Sequence, residues 1–151
     1  MSAQVAKTRE DEAAHLLALY HDDAGRVMAT IESQLGILAT RAQTLLSLTG
    51  ITITVTGFSG SNIARTSNLA AALVILGLVL VLVGAAVCIT GILAVRWTTQ
   101  LAPCTLKDAL IYALERRDAK TRAYSLALVL VAVGLAAYVA SVALLLARAP
   151  G

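Results

Sequence analysis

The sequence predicts an all-α membrane protein with three transmembrane helices and two cytoplasmic helical extensions. Of its 151 residues, 58% are hydrophobic and 14% are charged, whereas soluble domains have about 45–50% apolar and about 25% charged residues. Two uncharged runs, residues 69–95 and 124–147, each exceed the roughly 20 residues that cross a hydrocarbon layer. A third uncharged run, residues 44–64, is less apolar because threonine, serine and glycine replace many aliphatic residues.

Residues 44–64 have two interpretations. Between residues 51 and 56, aliphatic residues alternate with threonines, which is the period of a half-buried β-strand. A single strand would leave its backbone polar groups unpaired in lipid, and the sequence has no second alternating segment with which to close a barrel. We therefore predict a transmembrane helix, on which Thr49, Thr52, Thr56 and Ser59 share one face.

Helical periodicity also predicts the remaining segments. An apolar stripe indicates one cytoplasmic amphipathic helix over residues 10–43, after a flexible N-terminus at 1–9. This helix packs on a neighbouring helix, associates with itself or lies on the lipid surface. The sequence T-L-K-D at residues 105–108 has the form of a capping box. A basic helix over 105–123 is therefore expected to continue without a break into the last span at 124–147.

The distribution of basic residues predicts the orientation in the membrane. Arg26 and Arg41 precede the first span, and the connection between the second and third spans is rich in lysine and arginine. The turn after the first span carries only Arg65. The positive-inside rule therefore predicts a cytoplasmic N-terminus and an outside C-terminus. The net charge of +3 reflects this topology, and we expect no binding to nucleic acid.

Small residues recur at seven-residue intervals in all three spans. Such spacing keeps one side of a helix against a partner, and close backbone approach is the main way that helices associate in lipid. The partner is either another helix of the same chain or a second copy of the protein. The glycines of this pattern are Gly50, Gly57, Gly77, Gly84, Gly91 and Gly134.

A group of basic residues precedes the third span and has three interpretations. It serves as a topology determinant, it attracts anionic lipid headgroups at roughly 1 kcal/mol per residue, or it binds an anionic ligand such as a nucleotide. The residues are Arg116, Arg117, Lys120 and Arg122.

The sequence contains few signs of chemistry. The three spans lack Asp, Glu, Lys, Arg and His, the residues that mark proton relays and substrate pathways in membranes. His15 and His21 lie far apart in angle on one helix, which argues against a metal site. No pocket nucleophile with its base and no phosphate-binding glycine loop is recognisable. We therefore expect no enzymatic activity, no catalytic residues, no metal and no cofactor.

The run T-R-A-Q-T-L-L-S-L-T-G at residues 40–50 resembles the entry to the first membrane helix in the Pycsar effector transmembrane family of bacterial membrane effectors. The layout is also similar, with a second apolar span, a basic helix ending in R-R-D-A-K-T-R-A-Y and a final span. The resemblance implies a multi-pass protein of the bacterial inner membrane. It further implies membrane disruption in antiviral defence, triggered by a cyclic nucleotide signal.

Two functional hypotheses follow from these patterns. The first is a small, homo-oligomerising membrane effector, in which Thr49, Thr52, Thr56 and Ser59 line a water-accessible path or form a helix interface. The second is a structural or accessory subunit that holds a partner protein and has no permeation activity of its own. A coupled transporter is disfavoured, because it would need an ionisable group inside the spans.

Overall fold

The computed structural model describes residues 6–64, 67–93 and 103–148. The helices are α1 (Arg9–Leu19), α2 (Ala24–Ala64), α3 (Asn68–Cys88) and α4 (Leu106–Arg148), with a π-helical turn at Ile89–Leu93. No β-strand occurs among the described residues, so the predicted all-α class is confirmed there and residues 51–56 are helical. Part of the predicted flexible N-terminus, residues 1–5, and the end of the second predicted span, residues 94–95, lie outside the described residues.

Two helices are long and apolar enough to cross a membrane, judged by length and composition. They are Asn68–Ile92 and Leu106–Ala147. Among the described residues, α2 does not meet the same criterion, because the threonines, serines and glycines of residues 44–64 lower its hydropathy. The third crossing therefore stays a prediction.

The prediction of a single helix over residues 10–43 is wrong, because the chain reverses direction between α1 and α2. His21 and Asp22 adopt left-handed backbone conformations, with φ of 52° and 60°, which His and Asp tolerate better than most residues. The Asp23 carboxylate then accepts a hydrogen bond from the Arg26 backbone N–H at 3.1 Å and caps α2. The apolar stripe continues through this break because α1 and α2 both turn their apolar sides toward α4.

α1 and the first halves of α2 and α4 form a three-helix bundle. Its centre is a buried apolar cluster to which each helix contributes. The fully or almost fully buried members are Ala13, Val27, Ile31, Leu110 and Leu114. Burial of aliphatic side chains stabilises such a cluster by about 1.5–3 kcal/mol per residue.

α2 and α4 run in the same direction, whereas α3 runs opposite to α4. Gln34 meets Arg117 near one end of the α2–α4 pair, and Ser59 meets Tyr138 further along both helices. This parallel arrangement is the one expected for two stalks that both ascend into a membrane. A second buried cluster joins α2, α3, the π turn and α4 through Ala42, Leu45, Cys88, Ile92, Ala127 and Val131.

α4 begins at Leu106, as the capping-box motif predicts. The Thr105 hydroxyl accepts a hydrogen bond from the Asp108 backbone N–H at 3.2 Å and donates to the Asp108 carboxylate at 2.6 Å. No glycine or proline follows before Gly134, so nothing in the sequence interrupts the helix. The basic helix and the last predicted span are therefore one continuous element of 43 residues.

Candidate functional site

The small residues of α3 pack directly against those of α4. A Cβ added to Gly77 would lie 2.7 Å from the Gly134 carbonyl oxygen, and one added to Gly134 would lie 2.8 Å from the Gly77 carbonyl oxygen. A Cβ added to Gly84 would lie 3.1 Å from the Ala127 carbonyl oxygen. Only glycine allows the backbones to approach this closely at positions 77 and 134. Here the partner in the seven-residue pattern is another helix of the same chain.

The glycines of α2 have a different environment. At Gly50 and Gly57, nothing lies within 4 Å of the position that a Cβ would take. Both belong to an exposed row of small and polar residues, spaced alternately by four and three positions, which we call the outer seam. Its members are Gly36, Thr40, Gln43, Ser47, Gly50, Thr54 and Gly57. Within the described ranges, this row has no intrachain helix packed on it.

The face of α2 that carries Thr49, Thr52, Thr56 and Ser59 points toward the other helices of the chain. It lies about half a helical turn from the outer seam. Thr49, Thr52 and Thr56 are 3%, 8% and 7% exposed, and their hydroxyls donate to carbonyl oxygens of α2 itself at 2.7 to 2.9 Å. The Ser59 and Tyr138 hydroxyls lie 2.9 Å apart, which joins α2 to α4. These residues thus occupy a helix interface. They could line a water-accessible path only if the helices moved apart.

The basic residues of α4 point to different partners. Arg116 lies over the Tyr112 ring, 5.7 Å from its centroid, and donates to its hydroxyl at 3.2 Å. The Lys120 Nζ donates a hydrogen bond to the Ile92 carbonyl oxygen at 2.9 Å. This bond links α4 to the π-helical turn. Arg122 is exposed. The predicted basic group is therefore spread around the helix and does not converge on one anion.

Arg117 is the centre of an ion-pair network that joins α1 to α4. Its Nη1 and Nη2 donate to the two carboxylate oxygens of Glu12 at 2.6 and 3.0 Å, and this hydrogen bonding raises the pKa of Arg117. Arg117 also binds Asp118, which accepts a further hydrogen bond from Arg9 at 3.2 Å. Burial raises the pKa of Asp118, but the hydrogen bonds from Arg117 and Arg9 outweigh it and hold this pKa below its ordinary value.

Arg117 was a candidate site residue in the sequence, but Arg9, Glu12 and Asp118 were not identified there as members of this network. The available signal was the acidic first turn of α1, which carries Glu10, Asp11 and Glu12, together with the basic residues of α4. Opposite charges on two segments attract each other appreciably only when the fold brings the segments close together. The reversal at His21 and Asp22, which brings them together, was not predicted.

Acidification below about pH 4 is expected to loosen α1 from α4. Because the pKa of Asp118 is lower in the folded state than its unfolded reference of about 3.9, its contribution to stability is complete above that reference. The contribution is lost as the pH falls through the folded pKa. Hydrogen exchange of residues 9–19, corrected for intrinsic rates, should show this loss as reduced protection at pH 3 relative to pH 7. Asp118→Asn should make this difference in protection smaller. Equal protection at pH 7 and pH 3 in the wild type would contradict the expectation.

Comparison of the chain with protein-family models, with curated proteins and with solved structures gives no match. The resemblance of residues 40–50 to the Pycsar effector transmembrane family therefore stays a prediction. Inferences about function therefore rest on the helix packing and on the positions of the charged residues.

Proposed function

We propose that the protein is a small multi-pass membrane protein that assembles into homo-oligomers through the outer seam of α2. The open space around Gly50 and Gly57 carries this proposal. Glycine in a helix costs about 1 kcal/mol relative to alanine, and in lipid the offsetting gain is close packing against another helix. Gly77 and Gly134 obtain this gain within the chain, whereas Gly50 and Gly57 would obtain it from a second copy.

The hydroxyls of the outer seam are compatible with burial between copies. Thr40, Ser47 and Thr54 each donate to the carbonyl oxygen four residues earlier, at 3.0 to 3.1 Å. Contact with a neighbouring helix would therefore leave no hydroxyl donor unpaired. A buried donor without a hydrogen-bond partner is the usual cost of burying a polar group. Alternating spacings of four and three residues average 3.5, the period of a left-handed helix pair.

The same proposal includes a third crossing by residues 44–64, with the N-terminus in the cytoplasm and the C-terminus outside. It includes action as a membrane-disrupting effector of the bacterial inner membrane, as the resemblance of residues 40–50 implies. The interior position of Thr49, Thr52 and Thr56 favours their role in packing the protomer. A scaffold that holds a partner protein is the alternative, and it differs from the effector in causing no loss of membrane potential.

Energy transfer between labelled copies tests the self-association. Cys104 is exposed and Cys88 is buried, so Cys104 can carry donor and acceptor dyes on separate batches that are then mixed in lipid vesicles. We expect transfer in the wild type, and association weaker by at least about tenfold, or 1.4 kcal/mol, when Gly50 and Gly57 are both replaced by leucine. Ala72→Leu, which adds similar bulk to an exposed position of α3, serves as the control.

Three outcomes separate the hypotheses. Unchanged transfer in the double glycine variant would reject the outer seam as the contact. Depolarisation of cells on induced expression, lost in the same variant, would support the effector. Intact self-association with no depolarisation would favour the scaffold.

A further inference from the structure

A cavity of about 540 Å³ that is open on one side lies between α2 and α4, within the range of about 300–1,000 Å³ that is usual for small-ligand sites. Arg41 lies within one helical turn before residue 44, and Tyr124 stands where the third predicted span begins. In the proposed membrane placement, the cavity is therefore level with the headgroups of the cytoplasmic leaflet, where tyrosine is commonly enriched. Its uncharged polar lining comes from Gln34, Thr121, Tyr124 and Ser125.

The charges around the cavity favour an anion. The charged groups that line it are Arg41, Arg117 and Asp118, and the carboxylate of Asp118 is already bound by Arg117 and Arg9. Within the described residues, Arg41 forms no ion pair, so its guanidinium donors are available at the cavity. Tyr124 and Ser125 add hydroxyl donors. Ile37 and Leu38 supply an apolar wall.

Arg117 already holds a carboxylate in the geometry that a phosphate would use. Its two terminal nitrogens bind both oxygens of Glu12, and this two-pronged arrangement suits carboxylate and phosphate equally. Glu12 belongs to α1, which otherwise contacts α4 through a small apolar cluster and through the ion pairs of Arg9 with Asp118 and Glu115. A phosphate that enters the cavity can therefore exchange with Glu12 on Arg117, and this exchange removes part of what holds α1.

We infer that this cavity binds the phosphodiester headgroup of an anionic phospholipid, with Arg41 as its main contact and Glu12 as its competitor for Arg117. The inference rests on the membrane placement in the proposed function. The lipid is favoured over a soluble phosphate because the cavity combines phosphate donors with the apolar wall of Ile37 and Leu38 at the predicted membrane boundary. Headgroup binding and docking of α1 then oppose each other.

Native mass spectrometry of the full chain, purified in detergent, tests the inference with phosphatidylglycerol as the probe. Arg41→Gln is expected to lower phosphatidylglycerol retention by about tenfold, the size of one charged hydrogen bond. Arg122→Gln removes the same charge from an exposed position outside the cavity lining and is expected to lower it much less. Glu12→Gln should increase retention, because it weakens the competitor. Phosphatidylcholine, which has no net charge, should be retained weakly by all variants.

The matched variants separate a specific site in the cavity from general attraction of lipid to the basic surface. Equal losses in Arg41→Gln and Arg122→Gln would mean general attraction of headgroups and would overturn the cavity site. Displacement of phosphatidylglycerol by an equal concentration of inorganic phosphate would overturn the assignment to lipid. A wild-type protein that does not fractionate with membranes would refute the membrane placement itself, whereas a protein that inserts but retains no phosphatidylglycerol refutes only this inference.

Discussion

Replacing Gly134 with leucine is expected to destabilise the protein by about 3 kcal/mol. The new Cβ would lie 2.8 Å from the Gly77 carbonyl oxygen and 2.8 Å from the Val81 Cγ2. Rotation of the new side chain cannot relieve a clash at Cβ, so α3 and α4 would have to move apart. Thermal unfolding in detergent should show the loss, and hydrogen exchange should rise in α3 more than in α1.

Gly50→Leu is the matched control for this prediction. It makes the same chemical change in α2, but nothing lies within 4 Å of the new Cβ. At dilutions where the protein is monomeric, we expect its free energy of unfolding to increase by no more than about 1 kcal/mol. The small gain arises because leucine has a higher helix propensity than glycine. Equal destabilisation by the two substitutions would show that α3 and α4 are not in close backbone contact at Gly134.

Replacing Arg117 with alanine is expected to weaken the docking of α1 by about 2 kcal/mol, or about 30-fold in its opening equilibrium. The side chains of Arg117 and Glu12 are 22% and 30% exposed, so the pair is partly shielded from water and its loss leaves carboxylates without their partner. Arg117→Lys should have an intermediate effect, because an ammonium group lacks the planar fork. Hydrogen exchange of residues 9–19 measures both variants.

Arg26→Ala provides the comparison for an ion pair that is open to solvent. Its pair with Asp23 has side chains that are 76% and 49% exposed, and such pairs contribute about 0–1 kcal/mol. We expect no measurable change in α1 protection. If Arg117→Ala behaved like Arg26→Ala, the apolar cluster around Ala13 and the ion pairs of Arg9 would account for the docking of α1 without Arg117.

The seven-residue spacing was sufficient to predict the surfaces through which α3 and α4 pack, but it did not identify which helix covers each surface. Gly77 and Gly134 face each other within the chain, whereas Gly50 has the same spacing and lies in the open. Spacing fixes which side of a helix carries the small residues. Which helix covers that side depends on how the whole bundle buries its bulkier side chains, and no local pattern contains that information.

The sequence was least informative where distant residues meet. The fold class and the start of α4 could be predicted, because composition, helical period and the capping box are local properties. The chain reversal could not, because His21 and Asp22 are neither glycine nor proline and the apolar stripe keeps its phase across them. The contacts of Ser59 with Tyr138 and of Lys120 with Ile92 join residues far apart in the chain, so no local motif indicates them.

The reversal between α1 and α2 has a practical consequence for fusion proteins. Because α1 folds back along α4, Arg9 lies beside Asp118, near the proposed bilayer surface, and the turn at His21 and Asp22 lies at the opposite end of α1. An epitope inserted at that turn should be recognised by antibodies without disturbing either helix. In the proposed membrane placement, a bulky tag attached just before Arg9 would instead meet the lipid headgroups.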